Sequence, residues 1–437
     1  MAVISTLFCL LLLISIALAL VTQDTVFDIE LVHRDSPKSP LYNSTMTPFD
    51  RLQAAVVRSV NRASYLDKRI DMKTSIDIEL GLSYDDGEFF MGFKIGTPNT
   101  QSMLGIVTTG SGLIWANSVG CECFKKNTTT LFNPNASLSY TKLSCLSDEC
   151  KSFTLAHCNF NIMCQYRAVY GDNSNIDGIL SLETFSFTSI GTNQNIVIPN
   201  IVFGCNFRSQ ITLIDDPGSY IGLGPRSPSL IQQLAPKYIR KYFSHCLDML
   251  HDGANSRLFL GRGKQTITGK TMVTPLMTQD GFYAVQLHTI SIPGEFNILL
   301  TRSKLKAGNI IFDSGTVMTL LDSQVLNQLV RELTDYVSLP IVKTSDYRLC
   351  FNVSSTEQEE QLPGVLFSFD GTLGNIKMSP YNLFRWYRPD VKCMGILGTS
   401  GIQIFGNIMQ EDLLVGYDLD NMELTITEKK CTELYNP

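Results

Sequence analysis

The 437-residue chain is poor in charge, with Asp, Glu, Lys and Arg making up only 17% of it against 44% hydrophobic residues. That balance excludes disorder throughout, because so apolar a chain buries enough surface to offset its chain entropy. Past the first two dozen residues, no apolar run is long enough to span a bilayer. No basic stretch interleaved with aromatics is present, which argues against a nucleic-acid partner. Gly222-Leu223-Gly224 and Gly261-Arg262-Gly263 lack the strand-and-helix context of a dinucleotide site, so no cofactor is expected.

No charge occurs before Asp24, and Ile4 to Val21 are almost wholly apolar. A secretory signal over residues 1–22 is the expectation, with an uncleaved membrane anchor as the alternative. The twelve cysteines fit an oxidising compartment. Cys9 lies in the signal, so eleven remain, and an odd number leaves at least one without an intramolecular partner. Six fall between Cys121 and Cys164, within a Cys-rich insert expected at 118–165. Disulfides are the favoured reading there over a metal site, and no metal is expected. Sequons at Asn43, Asn127, Asn135 and Asn352 are candidate glycosylation sites.

Residues 24–70 carry seven basic and six acidic residues, whereas the remainder carries 28 and 35. Thr47 is a candidate N-cap with Pro48 at the first helical position and Asp50 in the first turn. Leu52, Val56, Val60, Ala63 and Leu66 recur at helical spacing, with Arg51, Arg58, Arg62, Lys68 and Arg69 decorating the helix. A basic amphipathic helix ahead of an acidic body reads as a removable pro-segment, taken as 23–72. An ordinary first helix of the domain is the alternative.

The body alternates strands and turns. Strands are expected at 88–95, 103–107, 166–170, 178–187, 196–204, 309–312, 364–369 and 413–418, and a helix at 323–337. The two halves share an order of parts. An apolar run ends in Thr108-Thr109-Gly110-Ser111 in the first and in Asp313-Ser314-Gly315-Thr316 in the second. Later come Tyr220-Ile221-Gly222-Leu223-Gly224 and Ile404-Phe405-Gly406-Asn407-Ile408, which makes a weak internal duplication.

With these elements in this order, the chain resembles the pepsin-like aspartic peptidases, and within them the plant secreted branch of the nepenthesins and disease-resistance-associated enzymes. The resemblance is carried by Val32 through Pro40, Tyr170-Gly171-Asp172, Phe203-Gly204-Cys205, Phe243 through Leu247, Leu349-Cys350-Phe351, Phe405 through Ile408 and Val415 through Asp418. It implies an all-β, two-lobed fold with a central cleft, an N-terminal lobe at 85–265 and a C-terminal lobe at 266–437. It also implies a flap tyrosine at Tyr170 and one catalytic Asp per lobe. The second of these falls on Asp313, within the intact loop to Thr316. The first falls on Thr108, where Gly110 and Ser111 of the motif remain but the carboxylate does not. Gly112 replaces a further family Asp, and Ser118 a family Cys whose partner should then be a free thiol or re-paired.

Two carboxylates that share one proton can act together as general base and general acid. A threonine hydroxyl hydrogen-bonds but cannot store a proton in acid. Asp313, relieved of a like-charged neighbour, is expected to titrate more normally. The expected function is a secreted aspartic-peptidase homologue, non-proteolytic, that binds a peptide or extracellular protein in its cleft. Plant relatives with broken sites that inhibit glycosidases make such a role conceivable by resemblance. The alternative is an acid endopeptidase of weak or unconventional activity. The expected location is extracellular or apoplastic, with the vacuole as a further possibility.

Overall fold

A computed structural model describes residues 25–72, 88–123, 130–169, 175–210, 218–235, 237–248, 256–263 and 269–435. The signal expected at 1–22, the sequon Asn127 and the flap residue Tyr170 lie outside the described residues.

The first half is dominated by a ten-stranded sheet, and the second carries sheets of five, four and three strands. A six-stranded sheet draws from the whole chain, in the order Phe27–Glu30, Arg257–Leu260, Tyr242–Cys246, Leu413–Asp418, Glu423–Glu428 and Thr271–Pro275. Most expected strands form within a residue or two of their expected bounds. Examples are Phe89–Ile95, Ile310–Phe312, Val365–Phe369 and Leu413–Asp418. Apolar residues at alternate positions put one face of Phe89–Ile95 and of Val365–Phe369 against the core, whereas Ile310–Phe312 and Leu413–Asp418 are buried at every position; Trp115, Tyr166, Phe203, Tyr283 and Phe312 are buried in that core.

The all-β expectation is corrected. Six α-helices occur among the described residues, including the 25-residue Pro48–Met72 and the 14-residue Ser323–Tyr336. The architecture is two-lobed with a cleft, but helices are part of its packing. Leu326, Leu329 and Leu333 bury one face of Ser323–Tyr336. The Pro48–Met72 helix starts in a reciprocal cap. The Asp50 N–H donates to Thr47 Oγ1 at 3.2 Å, while Asp50 Oδ2 accepts from the Thr47 N–H at 2.8 Å and from its hydroxyl at 2.7 Å.

The buried face of that helix differs from the one its apolar residues suggest. Ala55, Ser59, Arg62, Ala63 and Leu66 are buried, whereas Val60 is 48% exposed. Positions 55, 59, 62, 63 and 66 form one stripe of period 3.6. Arg62, expected on the decorated outer side, lies on the buried side because its charge has a partner there.

Ten cysteines pair as Cys121–Cys123, Cys145–Cys158, Cys150–Cys164, Cys246–Cys431 and Cys350–Cys393. Cys205 is free and buried. It lies on the strand paired in parallel with Trp115–Cys123, and its thiol is within hydrogen-bonding reach of the Ser118 side chain. The odd thiol therefore faces the residue that stands in place of the family cysteine.

Candidate functional site

Two strands end at the centre of the molecule. Gln101–Thr108 runs parallel to Ser219–Gly222, with Gly222 opposite Thr108. Ile310–Phe312 runs parallel to Ile404–Phe405, with Phe312 opposite Phe405. Each strand then turns through its four-residue loop beneath a glycine. A Cβ on Gly222 would sit 2.7 Å from the Ser111 carbonyl oxygen, and one on Gly406 would sit 2.4 Å from that of Met318. Only glycine lets the crossing backbones approach so closely.

The loops clasp each other symmetrically. The Thr109 N–H donates to Ser314 Oγ at 3.3 Å, and the Ser314 N–H donates to Thr109 Oγ1 at 3.1 Å. Within each loop the glycine N–H turns back on the first side chain. Gly110 N–H donates to Thr108 Oγ1 at 3.2 Å, and Gly315 N–H donates to Asp313 Oδ1 at 3.3 Å. Thr108 and Asp313 thus occupy equivalent positions, and both are buried. Ser111 is buried below Thr108, its carbonyl accepting from the Gly224 N–H at 2.7 Å. Thr316 donates its hydroxyl to Asp313 Oδ2 at 2.5 Å.

A residue from the Pro48–Met72 helix completes the site. Arg62 donates from Nε to Asp313 Oδ2 at 2.5 Å and from Nη2 to Asp313 Oδ1 at 2.7 Å. The same Nη2 is 3.4 Å from Thr108 Oγ1. This bidentate pair, with both side chains almost fully buried, gives a charge-assisted contact of fixed geometry. Burial by itself would raise the pKa of Asp313, but the Arg62 guanidinium, the Thr316 hydroxyl and the Gly315 N–H outweigh it and hold the carboxyl below the usual range. The expectation of ordinary titration is corrected for that reason: Asp313 not only lacks a like-charged neighbour but also pairs with a buried cation from the helix.

The same helix makes a second ion pair one turn earlier. Arg58 donates from Nε to Glu88 Oε1 at 2.6 Å and from Nη2 to Oε2 at 3.1 Å. His33 Nε2 lies 3.6 Å from the same carboxylate. Glu88 is buried, which would raise its pKa, yet Arg58, His33 and Arg34 together hold it far below the usual range. Neither Arg62 nor Glu88 was singled out as a site residue by sequence reasoning. The available signal was the 3.6-residue stripe through Ala55, Ser59, Arg62 and Leu66, on which a lone arginine stands out.

Other expected residues lie apart from this centre. Asn43 and Asn135 are exposed, and Asn352 is half-buried. Gly112 packs so closely that a Cβ there would lie 2.8 Å from the Arg226 carbonyl oxygen. Among the described residues no helix is long and apolar enough to cross a membrane.

Residues 89–262 match the family described as Xylanase inhibitor N-terminal, and residues 282–428 match Xylanase inhibitor C-terminal. A probable aspartic protease of Arabidopsis thaliana is 33% identical over 452 residues, covering 98% of each chain. Aspartic proteinase nepenthesin-1 of Nepenthes gracilis is 31% identical, covering 93% of this chain and 91% of that one. Among solved structures, basic 7S globulin from soybean superposes with a TM-score of 0.63 at 19% identity, over 80% of this chain and 95% of its own. Conglutin gamma from lupine seeds does so with a TM-score of 0.65 at 16% identity and the same coverage. These two likenesses concern the fold.

Proposed function

The chain belongs to the plant aspartic-protease family, and we propose that it is a secreted member that binds a peptide or protein in its cleft without hydrolysing it. The observation that carries this reading is the position of Thr108. It is related to Asp313 by matching glycine N–H bonds and by the reciprocal Thr109–Ser314 clasp, so it occupies the place of a second carboxylate. Asp313 can hold and polarise a water, but no second acid stands opposite to protonate the substrate carbonyl or leaving amine. General acid–base catalysis contributes about 10²–10⁴-fold per positioned group, and paired groups lost together cost more than one alone.

In the same reading, residues 23–72 are a pro-segment whose helix closes the cleft, and Tyr170 is the flap residue above it. The lobes are taken as 85–265 and 266–437. The second reading, a weak or unconventional acid endopeptidase, draws on Arg62: a helix that neutralises Asp313 is what a latent peptidase would carry.

The test is hydrolysis of a broad peptide library in acidic buffer after the segment has been cut away. Wild type should give no turnover, and Thr108→Asp should give a measurable but partial gain. The gain is limited because Gly112 is packed against the Arg226 carbonyl, with no room for the family's Asp unless the backbone moves. Wild-type turnover that disappears in Asp313→Ala would establish the second reading.

A further inference from the structure

The Cys-rich insert takes no part in the site described above, and it ends in an apolar tip. A hairpin joins the strands Ala156–Cys158 and Cys164–Val169. Its turn is closed by the Ile162 N–H, which donates to the Asn159 carbonyl at 3.0 Å, and by the Asn159 N–H, which donates to the Met163 carbonyl at 3.2 Å. Asn159 Oδ1 also accepts from the Asn161 and Met163 N–H groups, both at 3.0 Å. The disulfides Cys145–Cys158 and Cys150–Cys164 anchor the two arms. The Cys145 N–H donates to the Ile162 carbonyl at 3.0 Å, which brings Leu146 to the same end of the insert. This braced turn holds three large apolar side chains in solvent: Phe160 is fully exposed, Leu146 73% and Ile162 58%.

Two features set the tip apart from ordinary surface hydrophobes. Exposed apolar residues scattered singly need no explanation, but three gathered on one rigid turn do. In addition, Ile162 has a φ of 59°, in the left-handed region. A β-branched residue is strained there, whereas asparagine adopts that conformation readily. Isoleucine at 162 thus serves neither the turn nor solubility, and the strain points to a contact outside the chain.

Shape and charge narrow the partner. A fully exposed side chain at a hairpin turn protrudes, so its partner must be concave or deformable. Three side chains offer roughly half of the ~800 Å² per partner that a stable protein interface uses, which is too little for a second copy to be held by the tip alone. Exposed Lys142, Lys151 and Arg167 are nearly balanced by exposed Asp148 and Glu149, so no strong local field draws a highly charged surface. A lipid surface needs neither matching shape nor opposite charge, because it opens around an apolar wedge. We propose that Leu146, Phe160 and Ile162 insert into the surface of a lipid bilayer with zwitterionic headgroups and hold the protein there reversibly. The proposal is independent of whether the cleft hydrolyses peptide.

The test mixes the full chain with phosphatidylcholine vesicles and sediments them. Wild type should be carried down equally at low and high salt, because apolar insertion is not screened. Phe160→Ser should weaken binding by about tenfold or more, the contribution of burying one phenylalanine. Ile162→Asn should weaken binding while raising the urea midpoint of unfolding, since the strain is relieved. Leu299→Ser removes a comparably exposed leucine from the distant strand Phe296–Leu299 and should change neither property. Emission from Phe160→Trp should be quenched by lipids brominated in their acyl chains, beyond any quenching of the native Trp115 and Trp386. The inference is overturned by absence of sedimentation, or by binding that needs added phosphatidylserine and is lost in salt. It is equally overturned by a Leu299→Ser effect matching that of Phe160→Ser, by an Ile162→Asn protein that binds as tightly or unfolds earlier than wild type, or by an unquenched Phe160→Trp. Dimerisation without lipid that Phe160→Ser abolishes would assign the tip to a second copy instead.

Discussion

At the scale of single residues, the Arg62–Asp313 pair decides how the centre of the molecule behaves. Removing one partner of a buried ion pair leaves an unsatisfied charge, at a cost of about 3–5 kcal/mol, whereas removing both costs far less. Arg62→Ala should therefore lower unfolding stability by roughly that amount. Asp313→Asn in the same chain should recover most of it. A denaturant-based double-mutant cycle measures this, and additive effects would mean that the pair does not hold the helix. Cys205 makes a second residue-scale case. Burial pushes its thiol pKa up, so it should be inert in the native protein. Ser118→Cys should lower the thiol titre under denaturing, non-reducing conditions by one per chain, because the new sulfur faces Cys205. An unchanged titre in the natively folded variant would show that the two positions do not meet.

At the scale of elements, docking of the Pro48–Met72 helix depends on two carboxylates whose pKa values lie below their ordinary ones. A depressed folded pKa gives stability that is fully present above the unfolded value and is lost as pH falls through the folded value. Glu88 and Asp313 should thus stay ionised at pH values where exposed carboxylates take up protons. Hydrogen exchange of residues 48–68 should be equally protected at pH 7 and pH 5, with protection lost only in stronger acid. Arg58→Met with Arg62→Met should remove that protection at every pH. Loss of wild-type protection already at pH 5 would show that the pairs do not govern docking.

At the scale of the whole molecule, acid should act through the six-stranded sheet that gathers segments from both halves. His245 lies there on Tyr242–Cys246, buried, with Nε2 2.9 Å from Gln410 Oε1. Burial lowers its pKa to about 4, with the Gln410 contact opposing the shift. The unfolded chain, with an ordinary value of 6.5, binds the proton first as pH falls. The stability held above about pH 6.5 should therefore decline toward pH 4, by about 3 kcal/mol in all. His245→Gln should flatten that part of the curve. Urea unfolding at pH 7, 5.5 and 4 measures the difference, and parallel curves for the two proteins would exclude His245 as the cause.

Much of this was legible in the chain itself. Period-two alternation marked the strand Phe89–Ile95, because burying one face of a sheet imposes that pattern locally, whereas Leu413–Asp418, buried at every position, carries no such alternation. The Thr47–Asp50 cap and the helix after it were also local, as was the contrast between Thr108 and Asp313 in two otherwise matching loops. The odd cysteine count predicted an unpaired thiol, but only the pairing of distant strands identified it as Cys205 and set it against Ser118. Helical periodicity alone put Arg62 among the outward charges, because its partner is 251 residues away in sequence. Tertiary structure reversed that assignment: a buried carboxylate makes a buried guanidinium favourable, and no local pattern carries the position of a charge brought in from the other half of the chain.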